Sequence, residues 1–325
     1  MIRRRPCIGA ALCAVLAALA AMALAQTYPS KPIRFVTAMA AGTTVDIRAR
    51  QVGERVAKSI GQPVIVENRP GAGGTLAATH VARAAADGYT VLVGTVAEQA
   101  IAPAIYPRLD YDPRKDFAPI TQYAETATLL VANPGLGVSS VQELIALAKA
   151  KPGQLSLGSW GNGTLTHLLT VQFAQVAGID IKHVPYKNQA QALSDVVGGQ
   201  IDLFWDYPVT SLSFIKAGRL RGLMVVGSRR VQPLPEVPSA AEAGLPAMRH
   251  LAWGGFFAPA GTPRPVVDRL NAEIVKALRS AEMERILAEQ GSRVVTNTPD
   301  EFAAFIGREQ EELAKLAAAA GAKLE

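Results

Sequence analysis

Short apolar segments alternate along this chain with segments whose apolar residues recur every third or fourth position. The first apolar segment covers residues 33–38. The apolar positions that follow Gly42 share the longer spacing, and they are Val45, Ala49, Val52, Val56 and Ile60. That spacing puts side chains on one face of a helix, and Gly61 is of the type most common just past a helix end. The pattern predicts a strand followed by a helix.

The same alternation continues over the rest of the chain. Further strands are predicted at residues 64–66, 89–94, 129–132, 155–158, 181–185, 201–205 and 253–258. Further helices are predicted at residues 75–86, 139–150, 164–177, 189–198, 263–280, 281–290 and 298–320. Strands that alternate with helices indicate βαβ units and mostly parallel sheets.

The order of these elements predicts two domains. A connection with four prolines between residues 103 and 119 separates the first series from a second one that begins at residue 129. The Pro/Ala-rich segment Gln232–Pro246 is expected to be a surface connection, after which the chain returns to the first series. The predicted domains are residues 26–127 plus 252–325, and residues 128–251.

Residues 1–25 are predicted to be a secretory signal peptide. Arg3–Arg5 precede an uncharged Ala- and Leu-rich run that ends in Ala23-Leu24-Ala25, a small-residue cleavage site. A run of about 20 apolar residues is also long enough for a membrane anchor. Lipid attachment at Cys13 is a further alternative, although the residues before it make a poor lipobox. We expect export to the periplasm.

Removal of this leader changes both charge and cysteine content. The full chain has 33 basic and 27 acidic residues, and loss of the three leader arginines lowers the net charge from +6 to +3. Cys7 and Cys13 are both in the leader, so the mature chain has no thiol for a disulfide, a nucleophile or a metal. No basic cluster with interleaved aromatic residues follows, which argues against nucleic acid as a partner.

No metal or cofactor site is predicted either. The four histidines lack the paired spacing typical of metal ligands, and they are His80, His167, His183 and His250. The glycines of residues 71–74 lack the third glycine of a dinucleotide fingerprint, and no Gly-Lys-Ser/Thr follows them.

Several motifs resemble the receptors of tripartite tricarboxylate transporters, also called Bug proteins. Tyr28–Arg34 at the mature start is one of them. The others are VENRPGAGG at 66–74, DGYT at 87–90, YDPRKDFAPIT at 111–121, HVPYK at 183–187, GGQID at 198–202 and APAGTP at 258–263. The resemblance spans nearly the whole mature chain.

This resemblance implies a periplasmic-binding-protein-like fold of type II, the Venus flytrap. Each of its two α/β domains would contain a mixed, mostly parallel sheet, and crossing strands would join them. A small mono-, di- or tricarboxylate would lie in the cleft between the domains, without a cofactor or metal. The implied partners are inner-membrane transporter subunits, and we expect a monomer with no catalytic residues.

The first candidate ligand-binding segment is a strand-to-helix junction. Its candidate residues are Met39, Ala41, Gly42, Thr43, Thr44 and Asp46. Backbone N–H groups at a helix start are unpaired and lie at the positive end of the helix dipole, so they bind a carboxylate without a basic side chain. Gly42 would allow close approach, while Thr43 and Asp46 also fit a capping box. Relatives have an aromatic residue flanked by prolines near Met39, so their ligand cannot be transferred to this chain.

The second candidate segment resembles the family's second-domain loop, in which glycine backbone and hydroxyls reach the ligand from the opposite wall. Its candidate residues are Ser159, Trp160, Asn162, Gly163, Thr164 and His167. His167 is a loop-ordering donor, an interior histidine or a ligand contact. A hydrolase nucleophile elbow at Ser159 is disfavoured, because Leu157 stands where that motif requires glycine.

Three further candidates follow strand ends, where α/β folds place ligands. Thr95 and Glu98 form one loop, and Glu98 either faces the cleft, where it repels an anion, or is a solvated loop acid. Asp206 is either a cleft acceptor or the cap of the next helix. Trp160 and Trp205 could hold an aromatic ligand between them, or each could be ordinary packing.

The sequence therefore predicts a periplasmic solute-binding receptor that closes around a small carboxylate and delivers it to a tripartite tricarboxylate-type transporter. A ligand sensor with a membrane signalling partner is an alternative that the sequence does not separate. A hydrolase on the same scaffold is disfavoured, because no nucleophile, base and orienting group can be assembled from the motifs.

Overall fold

The structure is a computed structural model that describes residues 28–322, so the predicted signal peptide at residues 1–25 lies outside the described residues. The strands are β1 (Ile33–Thr37), β2 (Val64–Asn68), β3 (Thr90–Thr95), β4 (Phe117–Thr126), β5 (Leu129–Ala132), β6 (Ser156–Ser159), β7 (Lys182–Pro185), β8 (Leu203–Asp206), β9 (Arg221–Val225), β10 (Ala252–Pro259) and β11 (Ser292–Val294). The helices are α1 (Thr44–Ile60), α2 (Thr75–Ala82), α3 (Ala102–Ile105), α4 (Val141–Ala150), α5 (Leu165–Ala177), α6 (Gln189–Val197), α7 (Pro208–Lys216), α8 (Arg264–Leu278), α9 (Ala281–Glu289) and α10 (Pro299–Ala319).

The strands form two sheets. The first has the order β11-β4-β10-β3-β1-β2, and the second has the order β7-β6-β8-β5-β9. Parallel pairing joins β1 to β2 and β3, and β6 to β7 and β8. β10 runs antiparallel to β3 and β4, β11 to β4, and β5 to β8 and β9. The prediction of mixed sheets is confirmed, but antiparallel pairing takes a larger share than expected, because β4 and β10 carry the chain between the two sheets.

The two sheets support the division of the chain into two domains. Every described strand of the first sheet lies before residue 127 or after residue 251, and every strand of the second sheet lies between them. We therefore propose the boundaries 26–127 plus 252–325 for the first domain and 128–251 for the second.

The predicted helices are all present, and α1 shows why. Thr43 caps its start, Gly61 ends it with a φ of 72°, and the predicted apolar face is buried at Ala49, Val52 and Val56. A left-handed φ at the residue after a helix favours glycine. The largest difference in helix length is at α2, which ends at Ala82 rather than at residue 86.

The sequence prediction missed α3, β4, α7, β9 and β11. β4 lies inside the supposed Pro-rich connection and includes Pro119. Proline has no N–H for the ladder, so it disrupts a strand locally, and the β4–β10 register shifts where Pro119 pairs with Phe257. Because of this one proline at the bulge, a strand of 10 residues was predicted to be a loop.

The expected surface connection at Gln232–Pro246 is in part interior. Leu234, Val237 and Ala240 are buried. The backbone of Val225, the last residue of β9, receives an N–H from Ala240 at 2.7 Å. The prediction of a surface segment is wrong here, because the segment covers the outer edge of the second sheet and an edge strand needs partners for its backbone.

One hydrophobic cluster is shared between the two domains. It contains Leu92 of β3 and Phe302 of α10 together with Leu130 of β5 and Leu157 of β6. α10, which belongs to the C-terminal return, contacts α5 of the second domain. The interiors of the two domains are therefore continuous on this side.

Candidate functional site

The loop before α1 is held by the carboxylate of Asp46. This side chain is 2% exposed and accepts N–H groups from Gly42 (2.9 Å) and from Asn68 (2.8 Å). Arg50, one turn further along α1, contacts both oxygens of the carboxylate, at 2.9 Å and 3.1 Å. The Arg50 hydrogen bond in particular lowers the pKa of Asp46 to about 2. Asp46 is thus a loop-ordering residue, as the capping interpretation predicted.

The capping box itself differs from the predicted form. The Thr43 side chain accepts the N–H of Asp46 at 3.4 Å, but the Asp46 carboxylate returns to the N–H of Gly42 rather than to that of Thr43. Asn68 also donates to the carbonyl of Met39 at 2.9 Å. The VENRPGAGG motif therefore has a structural role that its sequence did not reveal, since its Asn68 ties the loop to β2.

Two amides at the start of α1 have no hydrogen bond with any described residue, and they belong to Thr44 and Val45. Thr44 is exposed, as are Ala41 and Gly42 before it. Gly42 has a φ of 82°, and an added Cβ would meet nothing within 4 Å. An open surface with unpaired N–H groups at the positive end of a helix suits an anion.

The loop before α5 repeats this arrangement in the second domain. Thr164 caps the helix by accepting the N–H of His167 at 3.4 Å, and its hydroxyl donates to the carbonyl of Gly161 at 2.7 Å. The next two amides, of Leu165 and Thr166, have no partner among residues 28–322. Asn162, at the tip of the loop, is exposed.

Two stacked histidines support this second loop. The rings of His167 and His183 lie 4.4 Å apart at 14°, and His167 Nδ1 accepts the N–H of Gly163 at 3.2 Å. His183 Nε2 lies 2.6 Å from the hydroxyl of Ser159. Burial, with a smaller contribution from His167, lowers the pKa of His183 to about 4. His167 therefore orders the loop, which was one of its predicted roles.

The contact between Ser159 and His183 was missed in the sequence, where the two residues lie 24 positions apart. No described carboxylate lies within ion-pair distance of His183, so the structure provides no orienting acid for a catalytic triad.

Glu98 is turned inward at the end of β3. Its side chain is fully buried, and its two oxygens accept the amide and the hydroxyl of Thr95, the latter at 2.7 Å. Burial raises the pKa of Glu98 to about 7. The alternative of a solvated loop acid is wrong. Because both oxygens are bonded within the loop, Glu98 shapes the backbone after β3.

Asp206 and Trp205 also belong to the interior. Asp206 is fully buried and accepts hydrogen bonds from Gln189 (2.7 Å), Thr210 (2.7 Å) and Ser211 (2.5 Å). It contacts side chains of the first turns of α7, but the helix-cap interpretation is wrong, because Tyr207 is the cap position and no side chain caps this helix. Burial raises the pKa of Asp206. Trp205 is fully buried and donates to Thr170 at 3.1 Å.

An aromatic ligand between Trp160 and Trp205 is therefore excluded, because Trp205 packs in the core of the second domain. Trp160 instead meets Tyr207 edge-to-face, with ring centroids 4.5 Å apart. The Nε1 donor of Trp160 is buried and has no partner within residues 28–322.

Arg48 is a buried cation that the sequence analysis did not single out. It is 5% exposed, donates to Gln290 (3.1 Å) and Ser292 (3.4 Å), and lies 5.6 Å from the ring of Tyr123. No described carboxylate lies within 4.0 Å of it. Burial lowers its pKa, and the nearby Tyr207 opposes this effect.

The hydrogen-bond donors near Arg48 come from both domains. Tyr207 follows β8 in the second domain and contacts Trp160 of the loop before α5. Arg48 lies one turn after Thr44 on α1, and helical side chains lean towards the helix start. Pro208 packs on Gly291 of the first domain, where an added Cβ would come within 2.6 Å. Donors from both domains thus lie near one another, and they belong to Arg48, Tyr123, Tyr207 and Trp160.

Two cavities of the structure lie away from these loops. One groove of about 880 Å³ crosses the first domain and is bordered by Lys31, Arg34, Arg83 and Arg108. Another of about 330 Å³ lies near Gly227 and Arg293. None of the predicted ligand-binding residues lines either of these two cavities.

Comparison with known proteins identifies the family. Residues 48–321 match the model of the tripartite tricarboxylate transporter family receptor. The chain belongs to this family. The receptor is also 35% identical to the protein BugT of Bordetella pertussis over 309 residues, which cover 95% of both chains.

Solved structures agree in fold. An R. palustris structure with adipate has a TM-score of 0.82 and 34% identity, covering 91% of the receptor and 100% of that chain. MatC from Rhodopseudomonas palustris with bound malate has a TM-score of 0.76 and 32% identity, covering 89% and 99%. The predicted two-domain binding-protein fold is confirmed.

Membership also settles the broad class of the protein. The family is one of periplasmic solute-binding receptors, so the prediction of a protein that is not an enzyme is confirmed. Within residues 28–322, no helix has the length and apolar character needed to cross a membrane.

Proposed function

We propose that the receptor holds a carboxylate of its ligand between the starts of α1 and α5. One observation carries this proposal: a threonine caps each helix, and the two amides after each cap have no partner among the described residues. Such N–H groups at the positive end of a helix bind anions without a basic side chain. Two opposed helix starts would grip the same group from both domains.

The candidate residues have two kinds of role in this proposal. The anion would be held by the amides of Thr44, Val45, Leu165 and Thr166. The candidate residues that would line the ligand site around them are Met39, Ala41, Gly42, Thr44, Trp160, Asn162 and Gly163. Those that hold the loops in shape are Thr43, Asp46, Thr95, Glu98, Ser159, Thr164, His167 and Asp206. The second group acts through the hydrogen bonds described above.

Arg48 and its neighbours support a ligand with a second acidic group. The buried guanidinium has only neutral hydrogen-bond partners, and the buried Trp160 Nε1 has none. A buried charge is costly unless it is paired, so a ligand carboxylate would complete this cluster. The relatives with adipate and malate both hold dicarboxylates. We propose a small dicarboxylate for this receptor.

Membership of the family supports delivery of the ligand to a transporter. We propose that the receptor is exported by residues 1–25, acts as a monomer in the periplasm and passes its ligand to the membrane subunits of a tripartite transporter. The mass of the exported chain and light scattering of the purified protein test the export and monomer proposals. Uptake of the identified ligand by cells with and without the receptor tests delivery.

The central test removes one amide and keeps the helix. Thr44→Pro deletes the exposed N–H at the first position of α1, where proline is well tolerated. Thr43 before it is already extended, with φ −73° and ψ 162°, as a residue before proline requires. Refolded protein is titrated with adipate, malate and acetate by calorimetry. We expect Thr44→Pro to weaken binding by about 10- to 100-fold, since a hydrogen bond to a charged group contributes about 1.5–3 kcal/mol.

The matched control is Ala281→Pro. Ala281 is the exposed first residue of α9, and its cap, Ser280, is also extended, with φ −66° and ψ 139°. This variant loses the same kind of donor far from the candidate loops, so its affinity should equal that of the wild type. Equal affinity of Thr44→Pro and Ala281→Pro for the ligand would refute the proposed anion site.

A further inference from the structure

Three potential metal ligands meet where the chain enters β10. His250 lies two residues before the strand. Its Nδ1 is 3.9 Å from Glu309 and its Nε2 is 3.9 Å from Glu312, and these glutamates project from successive turns of α10. One nitrogen of His250 and one oxygen of each carboxylate lie within 4.8 Å of one another. Imidazole and carboxylate are ligands that zinc accepts at about 2.0–2.2 Å.

The buried histidine points to a missing partner. His250 is 5% exposed, and neither of its ring nitrogens has a hydrogen bond with a described residue. A separation of 3.9 Å is too long for a hydrogen bond, which requires about 2.7–3.2 Å. Buried polar groups are nearly always paired, and His250 has no hydrogen-bond partner among residues 28–322, so its nitrogens are available to an ion or to water.

A hydrogen bond to one oxygen of each carboxylate also holds it in position. Trp253 Nε1 donates to Oε2 of Glu309 at 3.0 Å, and Arg249 donates to Oε1 of Glu312 at 2.9 Å. The oxygens that face His250 are the other ones, Oε1 of Glu309 and Oε2 of Glu312, and they accept no hydrogen bond from residues 28–322. Outer partners of this kind fix metal-binding carboxylates in many sites.

The three ligand atoms would have to move slightly closer together to bind a small ion. Ligand atoms around tetrahedral zinc lie about 3.3–3.5 Å apart, as follows from the usual bond lengths. Glu312 can supply this movement, since its side chain is 37% exposed, and the same exposure gives an ion a path inwards. His250 and Glu309, at 5% and 15% exposure, would hold the inner side of the site.

We propose that His250, Glu309 and Glu312 form a zinc-class divalent metal site, with water as the fourth ligand. The site is separate from the loops before α1 and α5. A bound ion would join the segment that enters the crossing strand β10 to α10, and so brace the return of the chain into the first domain.

The test uses the untagged mature chain after treatment with a chelator. Zinc is titrated by calorimetry, and cobalt(II) is titrated by visible absorption, which reports a four-coordinate site. We expect one equivalent to bind, and Glu312→Gln to weaken binding at least tenfold. Glutamine keeps the shape of the side chain and can still accept from Arg249, so the fold should persist; circular dichroism checks this. Glu309→Gln should behave in the same way.

Two control variants separate this site from other zinc binding. Glu311→Gln changes a neighbouring exposed carboxylate of α10, and His183→Gln changes the stacked histidine pair. Both should bind zinc like the wild type. The proposal is overturned if the wild type shows no saturable binding, if Glu311→Gln weakens binding as much as Glu312→Gln, or if His183→Gln abolishes it. In the first case, His250 would act only as a partner for the two glutamates.

Discussion

The loop before α1 and the loop before α5 share a plan but are held by different forces. Each has a capping threonine followed by two unpaired amides. In the first loop, Asp46 binds Arg50 and Asn68, so charge holds the backbone. In the second, Ser159 and two neutral histidines do so. The same anion-binding geometry can therefore be built on an ionic or a neutral support.

This difference leads to a difference in strength. Hydrogen bonds to charged groups contribute about 1.5–3 kcal/mol, whereas neutral ones contribute about 0.5–1.5 kcal/mol. The first loop should therefore be the more rigid of the two. The second should respond more readily to ligand, and to pH.

The largest effect is expected when the ionic support is removed. Asp46→Ala leaves the amide of Gly42, Asn68 and Arg50 without their shared acceptor, and should lower the free energy of unfolding by about 2–3 kcal/mol. The matched change in the other loop, Ser159→Ala, removes neutral contacts with His183 and with the backbone of Gly161, and should cost about 1–2 kcal/mol. Urea denaturation measures both. Equal costs would show that the two supports do not differ as described.

A smaller effect on stability is expected when the pH is lowered, and the second loop should be affected before the first. The pKa of His183 is lowered to about 4, so the unfolded chain binds its proton at a higher pH than the folded chain does. The contribution of His183 to stability therefore falls as the pH decreases from about 6.5 towards 4. The contribution of Glu98, whose pKa is raised to about 7, increases over the same range and opposes it. The pKa of Asp46 is lowered to about 2, so its contribution is retained until the pH falls below about 4.

Thermal unfolding between pH 7.5 and 4.5 measures this effect. His183→Gln keeps a polar partner for Ser159 but cannot take up the proton. Relative to the wild type, this variant should therefore lose less stability, or gain more, as the pH decreases. Hydrogen exchange of the Gly161 and Gly163 amides should accelerate before that of Gly42. A pH dependence that is unchanged in His183→Gln would argue against this residue as the source.

The smallest expected effect tests what the loops have in common. Thr43→Ala and Thr164→Ala each remove one helix cap, and each should cost about 1 kcal/mol of unfolding free energy. Serine at either position should restore most of it. If the two alanine variants differ by more than about 1 kcal/mol, the caps are not equivalent and the common plan fails.

Much of the fold was predictable because its signals are local. The apolar spacing in α1 and the glycine after it suffice to predict a helix, and the structure has it at Thr44–Ile60. β4 was missed because Pro119 suggests a loop until its bulge against Phe257 is seen. The direction of β10 depends on its pairing with β3 and β4, and pairing between distant segments leaves no pattern in either one.

The candidate site was predictable only in its backbone. Glycine and threonine at strand ends indicated both loops, because capping is a local property. The partners of these loops are distant in sequence: Asn68 lies 22 positions from Asp46, and His183 lies 24 positions from Ser159. Arg48 resembled any polar residue of an amphipathic helix, and only its burial distinguishes it.

The apolar cluster shared by Leu92, Phe302, Leu130 and Leu157 limits how the two domains can move. Separating the domains on that side would expose apolar surface to water, and this costs about 25 cal/mol of free energy for each Å² exposed. Turning about the cluster exposes little of it. The motion with the lowest free-energy cost is therefore a rotation of one domain about an axis near this cluster. The cluster stays buried while the rest of the interface opens.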